Sequence, residues 1–327
     1  MAHELDFSKG RAAIAYRGEV PWHGYGAEMQ PGMSIDEWIK AAGLDYSVES
    51  RPAYFLDSDG QQTLIPQARA LVRSDNNETL SLVSTKYKVV QPKQIVEFFR
   101  ELTERQGFEL ETAGALAKGR RVWALARLGR DFILDGGDKI NGYLLLATSY
   151  DGKFATTAQL TSIRVVCNNT LTLSLDDQDN RHIVRVLHSQ DFDPSSVRAD
   201  LGLFDSSWVG FTSAVRAMAT THVSELEAVK YFMELIGEED EDPQFVIDNN
   251  YQLRKLMQAR DLAPGAKLPS TEGTVWGLVN AVTYFTDHIR RAHDAGSRVN
   301  SAWFGKSAVL KRRAFEMAQN VVRSRIN

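Results

Sequence analysis

The stretch RALVRSDNNETLSLVSTKYKVVQPKQIVEFFRELTERQGFELETAGALAKGRRVWALARL, residues 69–128, decides the fold of this chain. Two short alternating segments around its start, 68–73 and 79–84, are joined by a polar turn and predict a β-hairpin. Residues 87–90 predict a third short strand or an extension of the second. The stretch therefore begins as antiparallel sheet.

A single amphipathic helix follows these strands. Pro92 stands where the first residue of a helix tolerates proline, and Gly107 supplies the C-terminal cap. A second hairpin, 108–116 with 122–128, is predicted after the helix. This order predicts a sheet with a helix over one face, which leaves the other face free for a ligand. The apolar residues at helical spacing are Ile95, Phe98, Phe99 and Leu102.

Further strands are expected after this stretch. Residues 139–149 and 154–161 predict a third hairpin, because Asp-Gly lies in the turn between them. Residues 163–175 are ambiguous between strand and helix, and 181–187 predict another strand.

Alternation along 122–128 should place Trp123, Leu125 and Arg127 on the face opposite to Val122, Ala124, Ala126 and Leu128.

Two signals precede the stretch. Ser34 and Glu37 have the spacing of a helix capping box. Residues 46–55 predict an edge strand, because Pro52 excludes a central position in a sheet.

The pattern changes to mostly helical after about residue 192. The helical stretches are 196–236, 244–260, 271–293 and 305–325. The predicted fold class is therefore α+β, with antiparallel hairpins and a covering helix followed by a helical C-terminal part. We expect a strand-rich α+β core over 1–191 and a helical region over 192–327.

Bulk composition narrows the functional classes. The 327 residues carry a net charge of −4 at a pI near 6.0, so nucleic-acid binding would need a local basic surface. The lone Cys167 excludes an intramolecular disulfide framework and favours a reducing compartment, so we expect a cytoplasmic protein. No apolar run approaches about 18 residues, and no membrane span is expected.

Familiar catalytic motifs do not occur in the sequence. Gly305-Lys-Ser307 resembles the end of a phosphate-binding loop, but Asn300 replaces the required first glycine. His288 and His293 are five residues apart and do not share a helical face as metal ligands would. We expect no cofactor, no metal and no catalysis. The alternative is an enzyme that uses His23, Asp287 and His288 for acid–base chemistry.

Basic residues with nearby aromatic residues mark a candidate nucleic-acid site. Cations can follow the phosphates of a single strand while aromatic rings stack on its bases. An ordinary solvated sheet face with edge lysines is the alternative reading. The predicted contact residues are Lys86, Tyr87, Lys88, Lys118, Arg120, Arg121, Trp123, Arg127 and Arg164.

A second surface could instead bind a host or phage protein. The last forty residues hold nine Lys or Arg against two acidic residues, in a chain that is acidic overall. The N-terminal loop around residues 20–26 carries aromatic side chains that could form a contact. The candidate interface residues are Trp22, His23, Tyr25, Lys311, Arg312 and Arg313.

Four motifs in order resemble the phage/plasmid-like protein family, known as domain of unknown function nine-three-two. They are PWHG (21–24), KYKVVQP (86–92), RVVCNNT (164–170) and GTVWGLVNAVTYFTDH (273–288). The resemblance implies a home on mobile genetic elements and brings no catalytic residues. The order of strands and helix is also similar, at the level of topology, to Rad52-type single-strand annealing proteins, and such a likeness does not determine function.

The leading hypothesis from sequence is a phage- or plasmid-encoded protein in the host cytoplasm. It would bind or anneal single-stranded DNA in recombination or replication, without catalysis, as a homo-oligomer. The alternative is a protein-interaction or structural module.

Overall fold

The structure is a computed structural model. It describes residues 6–7, 10–18, 25–105, 107–164, 169–172, 183–200, 204–238, 242–291, 301–303 and 305–326.

Strands dominate the first part of the chain, as the sequence predicts. In chain order they are β1 (Ile14–Tyr16), β2 (Ala27–Glu28), β3 (Val48–Leu56), β4 (Gln62–Arg73), β5 (Thr79–Ser84), β6 (Glu109–Leu116), β7 (Arg121–Leu134), β8 (Asp138–Ser149), β9 (Thr156–Arg164), β10 (Asn169–Thr172) and β11 (Ile183–Val186).

Three helices lie among these strands, and the others follow them. They are α1 (Ile35–Ala41), α2 (Pro92–Glu97), α3 (Arg100–Arg105), α4 (Pro194–Asp200), α5 (Phe204–Thr220), α6 (Glu225–Ile236), α7 (Pro243–Asn249), α8 (Tyr251–Leu262), α9 (Val275–Tyr284) and α10 (Lys306–Ile326). The α+β class is confirmed.

The strands form two sheets. The large sheet has the order β10-β9-β8-β7-β6-β1-β2, and β11 pairs with β9. Its pairs are antiparallel except for the short parallel pair β1–β2. A separate small sheet has the order β3-β4-β5.

All three predicted hairpins are present. Two of them, β6–β7 and β8–β9, build the centre of the large sheet. The first, β4–β5, belongs to the small sheet, where β4 begins at Gln62 and pairs with the edge strand β3. The third strand predicted at 87–90 does not form. The backbone N–H of Tyr87 donates to the carbonyl of Ser84 and closes a turn. Residues 87–91 then lead into α2 without pairing with a strand.

The predicted covering helix is also present, although it is divided. Ser34 and Glu37 form the expected capping box on α1, and Pro92 opens α2. The helix predicted from Pro92 breaks between α2 and α3. All four apolar residues of its predicted stripe are nonetheless buried.

Alternation along β7 sorts its side chains as predicted. Val122, Ala124 and Ala126 belong to the main core, which also includes residues of the C-terminal helices such as Phe211 and Phe315. This core crosses the predicted boundary at residues 191/192. Trp123 and Leu125 face the other way, into a smaller apolar cluster.

Two buried carboxylates stabilise the helical part. Asp138, at the start of β8, accepts hydrogen bonds from the Ser270 hydroxyl at 2.8 Å and the Trp276 indole N–H at 3.3 Å. Asp287 lies in a π-helical turn, 285–289, that continues α9, and it pairs with Lys311 of α10 at 2.9 Å. Within the described ranges, we find no helix with both the length and the apolar character that a bilayer crossing requires.

Candidate functional site

Three loops meet at one end of the large sheet. They are the β6–β7 turn, the β8–β9 turn and the segment that follows β5. The backbone N–H of Tyr150 donates to the carbonyl of Arg120 at 2.7 Å, and the Tyr87 hydroxyl donates to the carbonyl of Ser149 at 2.6 Å. The loops carry six cations, and we call this surface the basic end: Lys86, Lys88, Lys118, Arg120, Arg121 and Lys153.

Five of the six cations are exposed, and only Arg121 is buried. Sequence reasoning predicts five of the six as contacts and misses Lys153. Lys153 follows the Asp-Gly turn of the β8–β9 hairpin. The pairing of β7 with β8 puts this turn beside Arg121, and the position of Lys153 in the turn is the signal that could have identified it.

Half of these cations have a carboxylate partner. Arg121 pairs with Asp151 at 3.1 Å, Lys118 with Glu78 at 3.2 Å, and Lys88 with Asp191 at 2.9 Å. The Lys88 pair is largely exposed and contributes little in water.

The other three cations are Lys86, Arg120 and Lys153. Over the described ranges, none of them has a carboxylate within ion-pair distance. Six cations against three carboxylates leave an excess of three positive charges on the basic end.

The β6–β7 turn has a tightly determined backbone. Ala117 and Lys118 take left-handed conformations with φ of 52° and 60°, which are uncommon for residues other than glycine. Gly119 follows with φ of 89°, and a Cβ there would come within 2.8 Å of the Arg73 guanidinium. The turn therefore lies directly on Arg73.

Arg73 connects the small sheet to this turn. Its side chain is fully buried, forms ion pairs with Asp6 and Asp75, and donates to the carbonyl of Lys118 at 3.2 Å. Its guanidinium also lies 3.9 Å from the ring centroid of Tyr46. A cation held this way cannot contact a ligand, and its role is to position Lys118 and its neighbours.

The side chain of Tyr87 is only partly available to a ligand, because contacts within the protein occupy its hydroxyl and part of its ring. Its ring stacks on His188, with centroids 4.4 Å apart and planes at 19°, and it is half-buried. Burial raises the pKa of the Tyr87 hydroxyl, and the nearby Asp151 acts in the same direction. Burial lowers the pKa of His188 and outweighs its hydrogen bonds with the backbone of Phe154 and Lys88, which act to raise it.

Trp123 and Arg127 are not part of the basic end. Trp123 is 4 % exposed and packs edge-on against Trp303, with centroids 6.0 Å apart, so its ring offers no free face for a base. Arg127 is six residues beyond Arg121 along β7, which is about 20 Å in a strand. It forms an ion pair with Asp131 at 2.5 Å. The side chain of Arg164 lies outside the described residues.

The residues predicted for a protein interface are only partly described. Trp22 and His23 lie outside the described residues. Tyr25 is 44 % exposed, and Phe7 contacts its ring edge-on. Lys311 is 1 % exposed and paired with Asp287, so it belongs to the interior of the helical part rather than to an exposed interface.

The helical part also holds Arg312, Arg313 and His288. Arg313 is exposed and donates to the carbonyl of Glu234 at 2.9 Å, whereas Arg312 is only partly exposed. The ring of His288 packs on Tyr284 at 4.7 Å between centroids. In the ranges that can be described, Asp287 is paired with Lys311.

Comparison with known families supports the resemblance seen in the motifs. Residues 79–303, well over half of the chain, match the family described as "Domain of unknown function (DUF932)". The chain belongs to the DUF932 family. The DUF932 match contains all six cations of the basic end and begins at β5, after β3 and β4. No curated protein and no solved structure matches the chain, so the likeness to Rad52-type annealing proteins has no structural support.

Proposed function

We propose that this DUF932 protein binds single-stranded DNA through the basic end of its large sheet, without catalysis. The observation that carries the proposal is the gathering of five exposed cations from separate loops at one end of the sheet. Three of them have no carboxylate partner among the described residues, in a chain whose net charge is −4.

Binding would act mainly through phosphates. Trp123 is buried and the Tyr87 ring is stacked on His188, so base stacking contributes less than the cations do. Contacts of this kind are independent of sequence and weaken as salt rises, because each phosphate contact releases condensed counterions. A flexible single strand can place its phosphates on irregularly spaced cations, whereas a duplex presents them at fixed positions. A role in recombination or replication on a phage or plasmid would follow from such binding.

The decisive variant reverses the three cations without carboxylate partners: Lys86→Glu, Arg120→Glu and Lys153→Glu together. Fluorescence anisotropy with a labelled oligonucleotide should show tight, salt-sensitive binding for the native chain and strong loss for the variant. For single strands the slope of log K against log salt is about −0.7 per phosphate contact, so losing three contacts should make it shallower by about 2.

The matched control makes the same change in total charge elsewhere. Lys40→Glu, Lys230→Glu and Lys306→Glu together reverse three exposed cations on α1, α6 and α10. This control should keep most of the affinity if the basic end binds DNA. Equal loss in both triple variants, or no salt-sensitive binding by the native chain at micromolar concentration, would contradict the proposal.

A further inference from the structure

The outer part of the β3–β4 hairpin, residues 51–69, is an exposed two-stranded ribbon that we call the arm. β5 pairs with β4 only from Ala68 to Val72, so most of the arm has no third strand. Within the arm, Tyr54 lies opposite Leu64 in the register. Large apolar side chains are uncovered here, with exposed fractions of 55 % for Tyr54, 50 % for Phe55, 68 % for Leu56 and 46 % for Leu64.

The small sheet is buried where β3 begins, since Val48 and its partner Arg73 are both buried. The register shifts between Pro52 and Tyr54, and the exposed part of the arm lies beyond this shift. There Tyr54 and Leu56 lie two residues apart on one side of β3, and Leu64 lies opposite Tyr54. Contiguous exposed apolar side chains of this kind mark interaction surfaces.

The charges of the arm identify its partner. The arm carries Arg51 and Arg69 toward its base and Asp57 and Asp59 at its tip, so its net charge is zero. An anionic polymer or a lipid headgroup surface would need an excess of cations here. A two-fold contact brings the same patch against itself, and a neutral patch does not repel its own copy.

The order of these charges is self-complementary when two arms lie antiparallel. Asp57 and Asp59 lie at the turn that joins β3 to β4, and Arg69 lies opposite Pro52 near the base. Two arms that pack antiparallel therefore bring the acidic tip of each to the basic base of the other. Arg69 and Asp59 have no ion-pair partner in the part of the chain that the structure describes.

We propose that the arm binds a second copy of this chain, with two arms packed antiparallel across a two-fold axis. Tyr54, Leu56 and Leu64 form the apolar centre, and Asp59 of each chain pairs with Arg69 of the other. This contact does not depend on the proposed DNA binding. The small sheet, to which the arm belongs, contacts the basic end through the Lys118–Glu78 ion pair at its β4–β5 turn, so self-association would place two basic ends in one particle.

Sedimentation velocity over a range of protein concentrations tests the apolar centre. The native chain should sediment as a dimer or larger species, and Leu64→Asp should shift it to monomer, because the new carboxylate faces its own copy. Leu262→Asp is the matched control. Leu262 is 73 % exposed on α8, and its variant should keep the native mass. A monomeric native chain, or a Leu64→Asp variant with native mass, would overturn the proposal.

A charge exchange tests the antiparallel arrangement. Arg69→Asp and Asp59→Arg should each weaken association, because each creates two like-charge contacts, and the double variant should restore it. These surface changes also provide the test if Leu64→Asp fails to fold by circular dichroism. Singles without effect, or a double variant weaker than both singles, would overturn the antiparallel pairing.

Discussion

A buried ion pair removes one of the cations predicted for a protein interface. Lys311 belongs to the basic C-terminal sequence, yet its ammonium is buried against Asp287. Burial lowers the pKa of Lys311, and the Asp287 carboxylate opposes that shift by stabilising the charged form. The pair is therefore an internal contact between the π-helical turn and α10.

Loss of one partner of this pair should be costly. We expect Lys311→Met to reduce the free energy of unfolding by roughly 3–5 kcal/mol, because the buried Asp287 carboxylate loses its ammonium. Urea denaturation followed by circular dichroism measures the change. The double variant Lys311→Met with Asp287→Leu should recover most of the loss. A single variant within about 1 kcal/mol of the native chain would show that the pair is not buried as described.

His188 should make stability depend on pH. Its pKa is lowered from the ordinary value near 6.5 by burial, so the unfolded chain takes up this proton at a higher pH than the folded chain does. Its contribution to stability is complete above pH 6.5 and is lost as the pH falls below that value. Thermal unfolding of His188→Gln should show a shallower decline than the native chain on acidification. Parallel profiles for the two proteins would argue against a neutral His188.

At the scale of elements, the start of α9 depends on a close backbone contact. Thr274 caps the helix by accepting the N–H of Gly277 at 3.1 Å. Gly277 packs directly on the preceding turn, where an added Cβ would lie 2.0 Å from the carbonyl oxygen of Thr271. Only glycine allows this turn to approach the helix so closely.

Gly277→Ala should therefore destabilise the protein although alanine favours helices. We expect a loss of about 1–3 kcal/mol in the free energy of unfolding, because the turn must move away from α9. Chemical denaturation of the variant measures it. Increased stability, which helix propensity alone would predict, would contradict the close approach.

At the scale of the whole molecule, one core joins the strand-rich and helical parts. Phe132 of β7 contacts Trp208 and Phe211 of α5 at ring-centroid distances of 5.8 and 6.1 Å. Phe211 stacks in turn on Phe315 of α10 at 5.7 Å. Sheet and helices therefore bury each other.

Unfolding should accordingly be a single cooperative transition. Tryptophan fluorescence and far-ultraviolet circular dichroism should give coincident denaturation curves, since the main core contains residues of both parts. Separate midpoints for the two probes would indicate that residues 1–191 and 192–327 fold as independent units.

Local patterns in the sequence determined the elements. Alternation and turn residues predicted the three hairpins, and Ser34 with Glu37 and Pro92 predicted how two helices begin. Alternation along β7 also separated Trp123 from Val122 correctly. These predictions succeed because hydrogen bonds and side-chain directions within a few residues are enough to determine such elements.

Tertiary structure alone decided which of the charged and aromatic side chains are accessible. Sequence placed Trp123 and Lys311 among candidate contacts, and packing by distant segments buries both. The same long-range pairing brings Arg120 and Lys153 to one end of the sheet and leaves Tyr54 uncovered on the arm. The residue types set what each group can bind, but exposure and neighbours depend on contacts between residues far apart in the chain, which no local pattern encodes.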